Sequence, residues 1–154
     1  MIRVVLTVLV AVALLAASMP AVETARTATT AERIGTEADR LERAIGDVVA
    51  GSTPVSDPAT AARTTALVRA PSGFAAADLD RVALVEPPDR PDGVALAYRV
   101  DGGPERAFRI GTGPVPATVH LVDAPIELRP GGTSRVRLRY VDDDGPTVRV
   151  DRIG

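Results

Sequence analysis

Residues 4 to 22, VVLTVLVAVALLAASMPAV, run for 19 positions without a charged side chain. That is about the length a helix needs to cross a bilayer at 1.5 Å per residue. A buried helix in a soluble core rarely needs so long an uninterrupted apolar run. The run therefore constrains the chain more than any other stretch: whatever follows is attached to a segment that water does not favour.

Two fates are open to such a segment. It can stay as an anchor, or serve as the apolar region of a secretory signal cut after Ala16-Ala17-Ser18, a small-x-small site. Its length and the helical pattern that resumes beyond it favour retention. Arg3 and the amino terminus put positive charge before the run, while Glu23 and Arg26 balance beyond it. The positive-inside rule then places the amino terminus in the cytoplasm and the rest outside the cell membrane.

Ala31, Ile34, Ala38, Leu41, Ile45 and Val48 follow 3-4-3-4-3 spacing, the signature of one helix face. Glu32, Arg33, Glu37, Asp39, Arg40, Glu42, Arg43 and Asp47 fall on the other faces. Arg33/Glu37, Asp39/Arg43 and Arg43/Asp47 have ion-pair spacing. Thr29-x-x-Glu32 reads as a capping box at which the helix restarts, and Pro20 is a kink point. The stripe has two readings: it packs on the chain's own β domain, or on identical helices in an assembly.

Residues 51–58 hold Gly, Ser, Thr, Pro and Asp and form a linker, with Asp57-Pro58 capping one short turn. From Thr64 onward, short alternating segments are separated by Gly/Pro turns, which predicts antiparallel sheet. The expected strands are 64–70, 81–86, 94–100, 106–111, 117–122, 125–129, 135–141 and 147–153, with 74–80 ambiguous. The fold class is thus α+β, a long helix followed by a small antiparallel β domain. The expected parts are a membrane anchor (1–22), an amphipathic helix (23–50), the linker (51–58) and the β domain (59–154), which is expected to fold without the helix.

Alternation also predicts register. Pairing Tyr98 with Phe108 and Leu96 with Ile110 keeps all four inside, with Gly102-Gly103-Pro104 at the tip. Leu138 is expected between Ile126 and Val150 on the buried face. Arg137 then lies between Glu127 and Asp151 on the exposed face, an ion ladder rather than a basic binding surface.

Composition closes several doors. With no Cys there is no disulfide framework, thiolate zinc site or Cys-linked lipid. A net charge of −2 gives no drive toward nucleic acid, and aromatics at 3% leave no stacking platform. All 18 basic residues are Arg. His120 is the single histidine and is expected on the more exposed face of its strand, with no triad to join. Asp142-Asp143-Asp144-Gly145 lacks the spaced ligands of a calcium loop and reads as a hairpin turn. Gly111-Thr112-Gly113 is followed by Pro114 and Pro116 rather than a helix, so it reads as a turn and not a phosphate cradle. No catalytic, cofactor-binding or metal residue is assigned, and no enzyme activity is expected.

The order of a short cationic tip, an apolar helix, its amphipathic extension and a β-rich head resembles type IV pilin-like and pseudopilin-like proteins. The Lys-free, Cys-free, Ala/Thr/Asp/Arg-rich character also looks like small uncharacterised haloarchaeal membrane-anchored proteins encoded near pilus-type assembly genes. Only Met1-Ile2-Arg3 precedes the run, without the basic-plus-Gly cleavage site usual in pilins. The first carboxylate, Glu23, lies beyond the run rather than early in it. The resemblance implies a structural or interaction role at the cell surface, with the bilayer and like or related subunits, met through the helix stripe, as partners. The alternative is a secreted β-domain binding module released by signal peptidase.

Overall fold

The computed structural model describes residues 2–89, 93–112 and 116–154. A single helix, α1 (Ile2–Gly51), leads into eight strands: β1 (Ala62–Arg69), β2 (Leu79–Val85), β3 (Val94–Val100), β4 (Arg106–Ile110), β5 (Thr118–Leu121), β6 (Ile126–Glu127), β7 (Thr133–Asp142) and β8 (Pro146–Ile153). Each expected strand has a counterpart, with ends displaced by a few residues at most.

The helix passes without interruption through both expected break points. Pro20 lies inside it, and Thr29 does not restart it. The capping-box reading fails because residues 26–33 already satisfy the 3.6-residue period of a continuing helix, and no Gly or Pro stands there to stop it. Gly51 ends it, and Asp57 then accepts Ala59 N–H at 2.9 Å in the short turn expected at Asp57-Pro58.

The strands form two four-stranded sheets, ordered β1-β7-β8-β5 and β4-β3-β2-β6. Among the described residues these strands pair antiparallel except β5 with β8, which run parallel, and an isolated parallel bridge joins Val55 to Val141 on β7. The second half of α1 touches β1 and β7 of one sheet and β4 and β3 of the other. Ile34, Ala38, Leu41, Ile45 and Val49 join Leu84, Leu96, Val136, Leu138 and Val148 in one core. Of the two readings of the stripe, packing on the chain's own sheets is the one the fold adopts. The core is therefore built jointly by the helix stripe and the strands.

Three register expectations meet different outcomes. Leu138 does lie opposite Val150, and Arg137 opposite Asp151. The other neighbour of β7 is β1, however, with Thr64 opposite Leu138 and Thr65 opposite Arg137. Ile126 and Glu127 cross to the second sheet, where they pair with Leu84 and Ala83. The physical reason is length: β1 offers β7 eight paired residues, against the two of β6.

In the β3–β4 hairpin, Leu96 faces Phe108, Val94 faces Ile110 and Tyr98 faces Arg106, two residues away from the expected pairing. The chain reverses at Asp101-Gly102, both with positive φ, and Gly103 N–H closes on Val100 C=O at 2.8 Å. Asp-Gly suits a tight hairpin with two left-handed residues better than Gly102-Gly103-Pro104 does. A two-residue slip keeps every side chain on its face, so the Tyr98 and Phe108 rings still stack, now diagonally, at 5.9 Å.

Candidate functional site

The residues singled out from sequence do not converge. His120 is exposed on its strand, as expected, with Val119 and Leu121 buried beside it. Its Nε2 is 3.8 Å from Glu86, whose carboxylate accepts Leu121 N–H at 3.1 Å. Asp142 to Gly145 form the β7–β8 turn: Asp143 N–H donates to Gly145 C=O, Gly145 N–H to the Asp142 carboxylate, and Asp143 holds Arg149 at 2.6 Å. Gly111 N–H donates to Glu42 of the helix at 3.2 Å. Gly113 and Pro114 lie outside the described residues. Among the described residues, no group of three His, Asp or Glu is placed to hold a metal ion.

The outer face of the first sheet carries Arg135, Arg137 and Arg139, as alternation predicts. Register sets Arg63 opposite Arg139 and Arg139 opposite Arg149, like charges that repel across a sheet. Asp151 relieves this by drawing Arg139 to 3.1 Å and Arg137 to 3.6 Å. Glu127, expected to share that task, instead holds Arg81 on the other sheet, together with Glu105. Those two carboxylates, Glu127 foremost, raise the Arg81 pKa above its ordinary value.

Two helix residues have roles that sequence reasoning missed. Glu37, expected on a solvent face, is buried; it accepts Arg69 N–H at 3.0 Å and pairs with Arg40 rather than Arg33. Thr30, also buried, accepts Ala77 N–H at 2.9 Å. Each satisfies a backbone donor at the end of β1 or in the loop after it, so each ties the helix to that loop. Polarity argued for exposure, and nothing local signalled a distant backbone partner.

What remains is an extended surface. Residues 2–25 are exposed throughout, and among the described residues those from Ile2 to Val22 supply most of the exposed large apolar side chains. Within the run, Thr7 and Ser18 donate their hydroxyls to the carbonyls of Arg3 and Leu14, each at 2.8 Å. Helix hydroxyls bonded back in this way present no free donor to an apolar solvent. The helix is long and apolar enough to cross a membrane. Where it leaves the run, a cleft of about 740 Å³ opens between Pro20–Ala28 and the loops bearing Asp78 and Asp101.

Comparison with known proteins adds a family and no activity. A family model described as a domain of unknown function (DUF7311) matches residues 1–153, and the chain belongs to that family. No curated protein and no solved structure matches it.

Proposed function

We propose that this is a single-pass membrane protein of pilin-like layout, with its β domain outside the cell and a structural or interaction role rather than a catalytic one. The observation that carries the reading is the contrast along α1. The apolar half is exposed on every side, and the half that follows is packed into the β domain. Water does not tolerate a bare apolar rod of this length, and a bilayer covers it completely. Arg3 before the run, with Glu23 and Arg26 balancing after it, supports an inward amino terminus. Like subunits would meet along the apolar run, because the stripe from Ile34 to Val49 is already covered by the chain's own sheets.

Membrane fractionation of the native protein, with its amino-terminal residue determined by mass spectrometry, tests the reading. The expected result is a carbonate-resistant membrane protein retaining residues 4–22. A soluble protein beginning at Met19 would establish the secreted alternative instead. Its core would be intact, since the first core residue of the helix is Ile34.

A further inference from the structure

We propose that the loop between β1 and β2 is a second membrane contact, with Phe74 lying in the headgroup layer of the bilayer that α1 crosses; this rests on the membrane reading above. The chain has two Phe, two Tyr and no Trp. Tyr98 and Tyr140 are buried and Phe108 is partly buried against the core, whereas Phe74 is 88% exposed. Nothing in the fold accounts for that exposure.

Its position does. Three contacts trace the chain after β1 down the helix: Arg69 to Glu37, Ala77 to Thr30, and Phe74 to Arg26, whose guanidinium sits 4.5 Å from the ring centre. The loop therefore runs toward the apolar segment. Arg26 is four residues beyond Val22, a rise of ~6 Å along the helix. A headgroup layer extends ~5–7 Å on each side of the hydrocarbon core. The ring is thus held at headgroup depth.

The loop is built for that setting. Residues 70–77, APSGFAAA, carry no charge, and the one charge of the loop, Asp78, stands at its β2 end. Gly73, with φ of 93°, opens a turn closed by Ala76 N–H on Gly73 C=O at 3.0 Å, which leaves Phe74 at its tip. A positive φ is what glycine permits at little cost. An aromatic ring with a guanidinium on its face suits the boundary between acyl chains and phosphates. A single ring is far below the ~1,000 Å² that a stable protein interface needs, whereas it suffices as an interfacial anchor. Glu23 and Arg26 offset one another, so a zwitterionic bilayer is enough.

The absence of Trp makes the test direct. Phe74→Trp, Val12→Trp and Leu67→Trp each place one tryptophan in the full chain, reconstituted in phosphatidylcholine vesicles carrying bromines or spin labels at graded depth. Val12→Trp is the reference for the bilayer centre, and Leu67→Trp, on the outer face of β1, is the reference for water. The expected result is strong deep quenching of Val12→Trp and shallow, headgroup-level quenching with a partial blue shift of Phe74→Trp. Leu67→Trp should show no quenching. An unquenched Phe74→Trp beside a quenched Val12→Trp would overturn this inference and leave the anchor standing. An unquenched Val12→Trp would overturn the anchor, and this inference with it. A blue shift of Phe74→Trp that no lipid quencher reaches, or that grows with protein density, would mean a protein covers the ring and would also overturn it. Phe74 is exposed, so unchanged circular dichroism for its variant is expected and checks that the fold is intact.

Discussion

Residues 2–25 and 30–49 belong to the same unbroken helix, yet they face different surroundings. The first stretch is apolar around nearly its whole circumference and is exposed throughout. The second has one apolar stripe and buries it against two sheets. Backbone geometry is common to both, so the difference lies in the side chains alone: an all-round apolar helix needs an apolar solvent, and an amphipathic one needs a protein partner. The boundary falls between Val22 and Thr30. There charges resume after the uncharged run and burial begins.

Removing the second stretch should have the largest effect. A chain beginning at Pro58 loses five buried helix side chains and the ties from Glu37 and Thr30. It should show no cooperative thermal transition by circular dichroism, whereas a chain beginning at Glu23 should keep one. A cooperative transition in the shorter chain would make the sheets self-sufficient and erase the contrast between the halves. Next come single truncations. Ile45→Ala should cost roughly 2–5 kcal/mol in denaturant unfolding of the extramembrane domain, as buried large-to-small changes do. Leu9→Ala should leave that transition where it is.

A smaller loss is expected from Glu37→Ala, about 1–3 kcal/mol, because the bond from Arg69 N–H to this buried, charged carboxylate is lost at a part-buried site. Smallest is Arg137→Ala, under about 1 kcal/mol, since its pairing with Asp151 is loose and partly exposed. A larger loss from Arg137→Ala than from Ile45→Ala would mean that the charged face of β7 carries structural weight the geometry does not give it.

Much of this layout can be read from periodicity. The uncharged run, the 3-4-3 stripe and the eight alternating segments each mark an element through side-chain pattern, and faces follow from the pattern with few exceptions. His120 outside, Leu138 inside and the Asp-Gly turn before Pro146 are examples. Which strand lies beside which is harder to read. Ile126 and Thr64 both alternate acceptably against β7, and only the greater length of β1 and the crossing of β6 to the other sheet decide between them. Register across Asp101-Gly102 turns on which of two adjacent glycine-containing tips closes the hairpin, and the two differ by two residues in the pairing. Phe74 and Glu37 were hidden for a different reason. Their roles come from residues 48 and 32 positions away, Arg26 and Arg69, and no local pattern reports a contact at that range.

Cysteine accessibility compares the two halves most directly, because the chain has no cysteine of its own. Single cysteines at Leu9, Ala28 and Ile45 would be reacted with a water-borne maleimide in native membranes, before and after urea. Ala28 is exposed beyond the run and should react at once. Ile45, covered by protein, should react only after urea unfolds the domain. Leu9, which the proposed bilayer would cover, should stay unreactive until detergent dissolves the membrane. Reaction at Leu9 in intact membranes, or at Ile45 before urea, would contradict the account of one helix divided between two solvents.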